Sequence, residues 1–494
     1  MQESTREALP RLLTLAVLVV VATLFWIGWP RLGNVVFVAD STEYQRYAQT
    51  LDQTGHLPTK SENYEYSLPP GMPVLAVGLE RVARWIGPVD VRPAASVPRG
   101  IRATLWAVLA LVAGLLVLPA RRRSRRWWAG ITLGAALCVV VALDAVSAAT
   151  TFDWVPGLLP QMASILGLIV VSALLARELW PEWRWAPPLA AFGTALLPFV
   201  FRIGVLFHPE PLFSFLVATA VLVAIRASRQ GWSRWAGLLT GLLLGLSALT
   251  RQSALVAIVA VALIALLLGR RRAIPFLAAA AVVVALVAGP WWAYQANRFG
   301  NPIQSNLDRP GYMLDGEPLS FYVGGGRDVV ARPWRVLDGN YLLAKFHVGI
   351  WSDWTGLGGR PTSSDQRALA TSQSVLGFAG DALVLAGVLL LGAPALLRVA
   401  RDRSFGRGDE VLAALTLLFL ISWAAFVAMV LRFPQRDADP VQPHYLLFLV
   451  PAVVVLALGA ARRLWARGGA QRAVLVGWTV LYTVSWAWAL VTLV

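Results

Sequence analysis

The sequence predicts an all-α polytopic membrane protein with about thirteen transmembrane helices, further helices lying along the interface, and a chemistry-bearing surface on one side. Three observations predict it. Apolar residues make up 57% of the 494 and charged residues 14%, where a soluble domain carries about 25% charged. Mean hydropathy is +0.63, and apolar runs near the ~20 residues that cross a bilayer recur from Leu12 to Val494. The net charge, 43 − 27 = +16, sits in short knots such as Arg121 to Arg126 and Arg270 to Arg272. Knots of that kind between apolar runs are topology determinants, not a nucleic-acid-binding domain. The single cysteine, Cys138, excludes an intrachain disulfide, a multi-cysteine metal site and an iron–sulfur cluster.

The elements follow in chain order. The run from Leu12 to Pro30 is too long for a signal h-region and lacks a small-residue cleavage site, so it reads as a membrane anchor. Further spans are expected at about 101–119, 129–147, 157–176, 187–206, 209–225, 236–249, 253–268, 274–292, 379–397, 411–431, 445–461 and 473–492. The pair 236–249 and 253–268, read as one helix, would run ~50 Å at 1.5 Å per residue, far beyond a bilayer. Arg226, Arg229 and Arg234 precede the pair and Arg270 to Arg272 follow it. Both flanks belong on the cytoplasmic side, so the chain crosses twice between them and turns at Thr250-Arg251-Gln252-Ser253. The same rule puts the N-terminus, 121–128, 177–186, 226–235, 270–273, 398–410 and 462–472 inside. It puts the long hydrophilic segments 31–100 and 293–378 outside, together with all four histidines, His56, His208, His347 and His444. The whole chain, 1–494, reads as one integral membrane domain. It shows no internal repeat and no matched pair of broken helices, which weakens a secondary-transporter reading.

The residues able to carry chemistry gather on the outer side. Asp40 precedes Ser41 to Leu51, whose Tyr44, Tyr47, Ala48 and Leu51 share one amphipathic face. It is either a helix cap or a carboxylate at the membrane boundary that can take a proton from a hydroxyl. Tyr64 to Leu75 carries a Pro69-Pro70-Gly71 turn that leads into a second interfacial segment ending near Trp85. Arg202, His208 and Glu210 cluster in a short outer loop, where an ionisable residue at membrane depth is a functional candidate. The competing reading of Glu210 is a helix-start carboxylate favoured by the dipole. Arg251 tips the hairpin and either snorkels to head groups or grips a phosphate. His444-Tyr445 opens a late span. No two histidines show metal-ligand spacing, so no cofactor is required, and a divalent metal stays open. No glycine-rich nucleotide loop is present, which argues against ATP-driven transport.

In order and placement these segments resemble the polyprenyl-phosphate-sugar-dependent glycosyltransferases of the GT-C class, among them lipid A aminoarabinose transferases and bacterial relatives of protein O-mannosyltransferases. The matching residues are Asp40 in Ala39-Asp40-Ser41-Thr42-Glu43-Tyr44, then Leu68-Pro69-Pro70-Gly71, then Glu210 at a span start. Gly245 to Arg251, Pro290-Trp291 with Phe299-Gly300-Asn301-Pro302, and His444-Tyr445 to Pro451 complete them, with His444 standing where the family has arginine. The resemblance covers nearly the whole chain. It implies an inverting transferase in the inner membrane that moves a hexose or pentose from a polyprenyl-phosphate donor to a hydroxyl of a cell-envelope acceptor on the outer face. Asp40 would be the base, Arg251 and Arg202 the phosphate ligands, and Glu210, His208, Tyr44, His444 and Tyr445 substrate contacts. The partners implied are the donor, the acceptor and membrane lipid, with no nucleic acid. The alternative from another class is a transporter or flippase for a lipid-linked substrate.

Overall fold

The computed structural model of the protein describes residues 10–22, 40–59, 61–63, 66–86, 155–304, 318–337, 341–352, 363–402, 405–432 and 441–493. The spans expected at 101–119 and 129–147, with the Arg121 to Arg126 knot and Cys138, lie outside these residues. Among the described residues all regular structure is helical.

The expected anchor contains helix α1, Pro10–Ala22. The two segments expected to lie along the interface form helices α2, Asp40–Thr54, and α3, Gly71–Ile86. The bundle follows as α4 (Val155–Leu179), α5 (Ala186–Ala195), α6 (Pro198–Val205), α7 (Glu210–Arg229), α8 (Arg234–Thr250), α9 (Ala254–Gly269) and α10 (Ile274–Phe299). Six helical stretches among the described residues are long and apolar enough to cross a membrane. A seventh is the pair α5 and α6, bent by 66° where Leu197-Pro198 interrupts it. The predicted span 187–206 is therefore broken: proline lacks the N–H that would continue the helix, and the residue before it is pushed out of the helical region.

Packing fixes the relative direction of α8 and α10. A Cβ on Gly237, Gly241 or Gly245 would collide with Phe276, Ala280 and Val287 respectively. Contacts that advance together along both helices mean that α8 and α10 run parallel, so α9 carries the chain back between them. The turn between α9 and α10 is a short 3-10 segment, Arg270–Ala273, entered through Arg270 at φ +50°. The glycine spacing lets the two backbones approach closely, as small residues do between membrane helices.

The hydrophilic segment 293–378 is more helical than its composition suggests. It carries α11 (Leu319–Val323), α12 (Gly326–Ala331), α13 (Pro333–Leu337), α14 (Leu342–Trp351) and the first half of α15 (Ser364–Gly387). The expected span 379–397 is one part of a helical stretch from Ser364 to Arg401, in which a π turn (Val388–Gly392) joins α15 to α16 (Ala393–Arg401). Then come α17 (Arg407–Arg432), a 3-10 segment (Pro443–Leu449), α18 (Val450–Arg467) and α19 (Gly469–Leu493).

The two ends of the bundle differ in chemistry. At one end Glu178 meets Arg226, Arg229 and Arg407, while Glu410 pairs with Arg229 at 3.0 Å and Asp409 with Arg398 at 2.6 Å. Arg462 packs over the Trp180 and Trp183 rings at the same end. These are the knots expected to face the cytoplasm. The opposite end holds the starts of α7, α9 and α18 and the candidate site.

Candidate functional site

Glu210 is the first residue of α7, between Pro209 and Pro211. Prolines there suit a helix start, because the first-turn N–H groups have no partner within the helix, and the dipole favours a carboxylate at that position. Glu210 is 1% exposed and His208 4%. His208 Nδ1 bonds Glu210 Oε2. Burial of so polar a group needs partners, and the chain brings them from three distant elements.

Arg251 supplies the first. It leaves α8 in an extended conformation, with its N–H donated to the Ser247 carbonyl. Its Nη2 lies 3.0 Å from Glu210 Oε1 and its Nη1 donates to the Tyr44 hydroxyl at 2.8 Å. The guanidinium also stands 5.2 Å over the Tyr445 ring. One planar fork thus ties α2, α7 and the 3-10 segment before α18, a task that a lysine point charge does not perform. The His208 ring is 5.3 Å from Tyr44 and 5.1 Å from His444, and His444 is 4.6 Å from Tyr445. Arg202, in the last turn of α6, is near enough for its charge to act on both histidines. Burial first, then His444, Arg251 and Arg202, hold the His208 imidazolium well below the ordinary histidine range, so this ring is neutral at neutral pH.

Tyr44, Arg202, His208, Glu210, Arg251, His444 and Tyr445, singled out in the sequence, therefore come together. Asp40 is the first residue of α2. Its backbone precedes Tyr44 by one turn, about 6 Å of helical rise, and its side chain lies outside the described set. The position of α2 is fixed from several sides. Arg81 of α3 donates to Asp52 at 2.9 Å, Asn63 to the Glu43 carbonyl at 2.9 Å, and Tyr47 to the Leu68 carbonyl at 3.5 Å. The Pro-Pro-Gly turn is docked on the hairpin, where a Cβ on Gly71 would sit 2.5 Å from the Leu249 carbonyl oxygen. Buried Gln295 of α10 donates to the Ser67 carbonyl at 2.9 Å, and Gln252 to the Gln304 carbonyl. These two glutamines position the loops around Arg251. Sequence reasoning missed them, since a glutamine at the end of a span carries no pattern of its own.

Two histidines go elsewhere. His56 is exposed beside Glu62. His347 of α14 is held by α15, with Nδ1 2.5 Å from Asp381 Oδ2 and Nε2 donating to the Ser374 carbonyl at 2.9 Å. Asp381 Oδ1 accepts from the Trp351 indole at 2.8 Å. That group faces an apolar cavity of about 1500 Å³ that also touches Pro443 and Leu446. His444 and Tyr445, on the same short segment, belong to the Arg251 cluster.

The donor atoms of His208, Glu210 and His444 all lie within 4.8 Å of one another. Linear spacing gave no sign of this trio, because its third member arrives from a helix more than 200 residues away. Crystal structures of ArnT from Cupriavidus metallidurans are similar to this chain. The apo form has 15% identity and the form bound to undecaprenyl phosphate 13%, each with a TM-score of 0.37 over 91% of this chain and 77% of that one. No family model and no curated protein matches the sequence.

Proposed function

We propose that the protein is an inverting glycosyltransferase that moves a sugar from a polyprenyl-phosphate donor to a hydroxyl of a cell-envelope acceptor, at the outer face of the inner membrane. The observation that carries this reading is the Arg251 fork. It is a cation seated on buried Glu210 and on Tyr44 of α2, at the end of the bundle opposite the arginine knots. A lipid-linked sugar has its phosphate at head-group depth, where such a fork meets it and makes charge-assisted contacts.

The chemistry then needs two things. The acceptor oxygen attacks the anomeric carbon, its proton passes to Asp40, and the bond from that carbon to the phosphate oxygen breaks. The leaving group departs as polyprenyl phosphate, already an anion, so it needs electrostatic stabilisation more than protonation, and Arg251 and Arg202 supply it. The acceptor needs a positioned base, and α2 delivers Asp40 one turn from Tyr44. The apolar cavity beside Pro443 and Leu446 offers the polyprenyl chain a path away from water, next to the segment that bears His444 and Tyr445.

The test uses full-length protein in nanodiscs with a panel of polyprenyl-phosphate sugars, following release of free polyprenyl phosphate. Release by wild type and none by Asp40→Asn, with donor binding retained, supports the reading. Turnover retained by Asp40→Asn removes Asp40 as base. Donor that binds and crosses the bilayer without cleavage favours the flippase alternative.

A further inference from the structure

The trio His208, Glu210 and His444 has a use that the transfer reading does not require. Two imidazoles and one carboxylate form a donor set that zinc and its neighbours accept with coordination positions left open. Ligand atoms around a tetrahedral ion with bonds of ~2.0–2.2 Å stand roughly 3.4 Å apart. A set already within 4.8 Å closes on an ion by small side-chain rotations. Two further observations point to a ligand here. His444 Nε2 is buried and makes no hydrogen bond in the protein, a state that is costly unless the atom gains a partner. Glu210 has one oxygen steered by Arg251 at 3.0 Å and the other turned to His208, the orientation by a second group that ligating carboxylates commonly have.

We propose that His208, Glu210 and His444 bind one divalent transition-metal ion, zinc by preference, which clasps the start of α7 to the 3-10 segment before α18. Arg251 and Arg202 oppose a dication at this place, and an anionic phosphate oxygen in an open coordination position offsets them. Binding is therefore tighter in the presence of polyprenyl phosphate. The ion cross-links two elements far apart in sequence and adds a positive centre facing the phosphate. The metal site goes beyond the transfer reading and does not depend on it, because metal uptake is measured without turnover; only the gain from polyprenyl phosphate rests on that reading.

The experiment takes full-length protein in nanodiscs, stripped with chelator and titrated with Co²⁺ and, separately, Zn²⁺, with and without polyprenyl phosphate. Visible d–d absorption and bound zinc after dialysis are the readouts. One ion per chain is expected, with uptake abolished in His444→Ala and the affinity raised by polyprenyl phosphate. His444→Cys is expected to retain Co²⁺ and to add a thiolate-to-cobalt charge-transfer band that is absent in wild type, whose single cysteine is Cys138. This gain of signal keeps the test decisive should the alanine variant fail to fold. No uptake by wild type in either condition overturns the proposal. So does unchanged uptake in folded His444→Ala, or cobalt bound to His444→Cys without the new band.

Discussion

Replacing Arg251 by alanine separates a phosphate ligand from a structural pin. The side chain is 18% exposed and its partner Glu210 1%, so the pair is shielded from solvent, and removing the cation leaves a buried carboxylate uncompensated. Breaking a buried pair in this way costs about 3–5 kcal/mol. The lost hydrogen bond to the Tyr44 hydroxyl, 2.8 Å long, belongs to the same network, and its share is not additive with that figure. Arg251→Ala should therefore lower thermal stability in nanodiscs, and Glu210→Gln in the same chain should return part of the loss, with a coupling of about 0.5–3 kcal/mol. Donor binding is the second readout. Loss of one charge-assisted phosphate contact, about 1.5–3 kcal/mol, raises the Kd for polyprenyl phosphate about 10- to 150-fold. Arg251→Lys restores charge without the fork, so it should recover part of the affinity and less of the stability. A folded Arg251→Ala that binds polyprenyl phosphate as wild type does refutes the phosphate role. Failure of Glu210→Gln to rescue stability refutes the buried-pair argument.

Three further outcomes follow from the packing. Gly241→Leu drives a side chain into the Ala280 backbone and should cost about 1–3 kcal/mol or more through overpacking, with Gly289→Leu, where a Cβ meets nothing, as the comparison in the same melting assay. Glu178→Gln loosens the arginine end of the bundle. Arg229, 18% exposed, carries most of the effect, about 1.5–3 kcal/mol, and the more exposed Arg226 and Arg407 add little. His347 bonds Asp381 and the Ser374 carbonyl and lines the cavity proposed for the polyprenyl chain. His347→Ala should therefore lower the melting temperature and raise Kd for a long-chain polyprenyl phosphate while leaving that of a short-chain analogue unchanged. An unchanged Kd for the long-chain lipid in a folded His347→Ala would remove that cavity from the donor's path.

Much of this was legible because membranes constrain sequences harshly. Hydrophobic length marks the spans and arginine asymmetry sorts the ends, so the hairpin from Arg234 to Gly269 could be argued from its flanks alone. The break between α5 and α6 could have been anticipated at Pro198, whose effect is local. The helices inside 293–378 were harder. α14 is short, and its polar members, Lys345 and His347, are buried by contacts with α15 and its neighbours that no periodicity reveals.

The candidate site was legible for a different reason, and the same reason explains what stayed hidden. A carboxylate between two prolines at a span start, or an arginine at the tip of a tight apolar hairpin, is expensive at membrane depth and so stands out against its surroundings. Expense singles out Glu210, His208 and Arg251 one at a time, but it does not say which of them meet. That is set by the ends of α2, α7, α8 and the segment before α18 converging on one point, and by Gln295 and Gln252 holding the intervening loops. His444 is the clearest case. In sequence it stands where the glycosyltransferases that the chain resembles have arginine, whereas in the fold it lies within reach of His208 and Glu210. An imidazole at that position brings a metal-ligand atom where an arginine would bring only a further cation. His444→Arg has a definite outcome: if the ion serves a phosphate that an arginine at this position would also hold, the variant loses cobalt uptake yet retains affinity for polyprenyl phosphate. Loss of both would mean that His444 holds the cluster together by packing and has no counterpart role to the arginine.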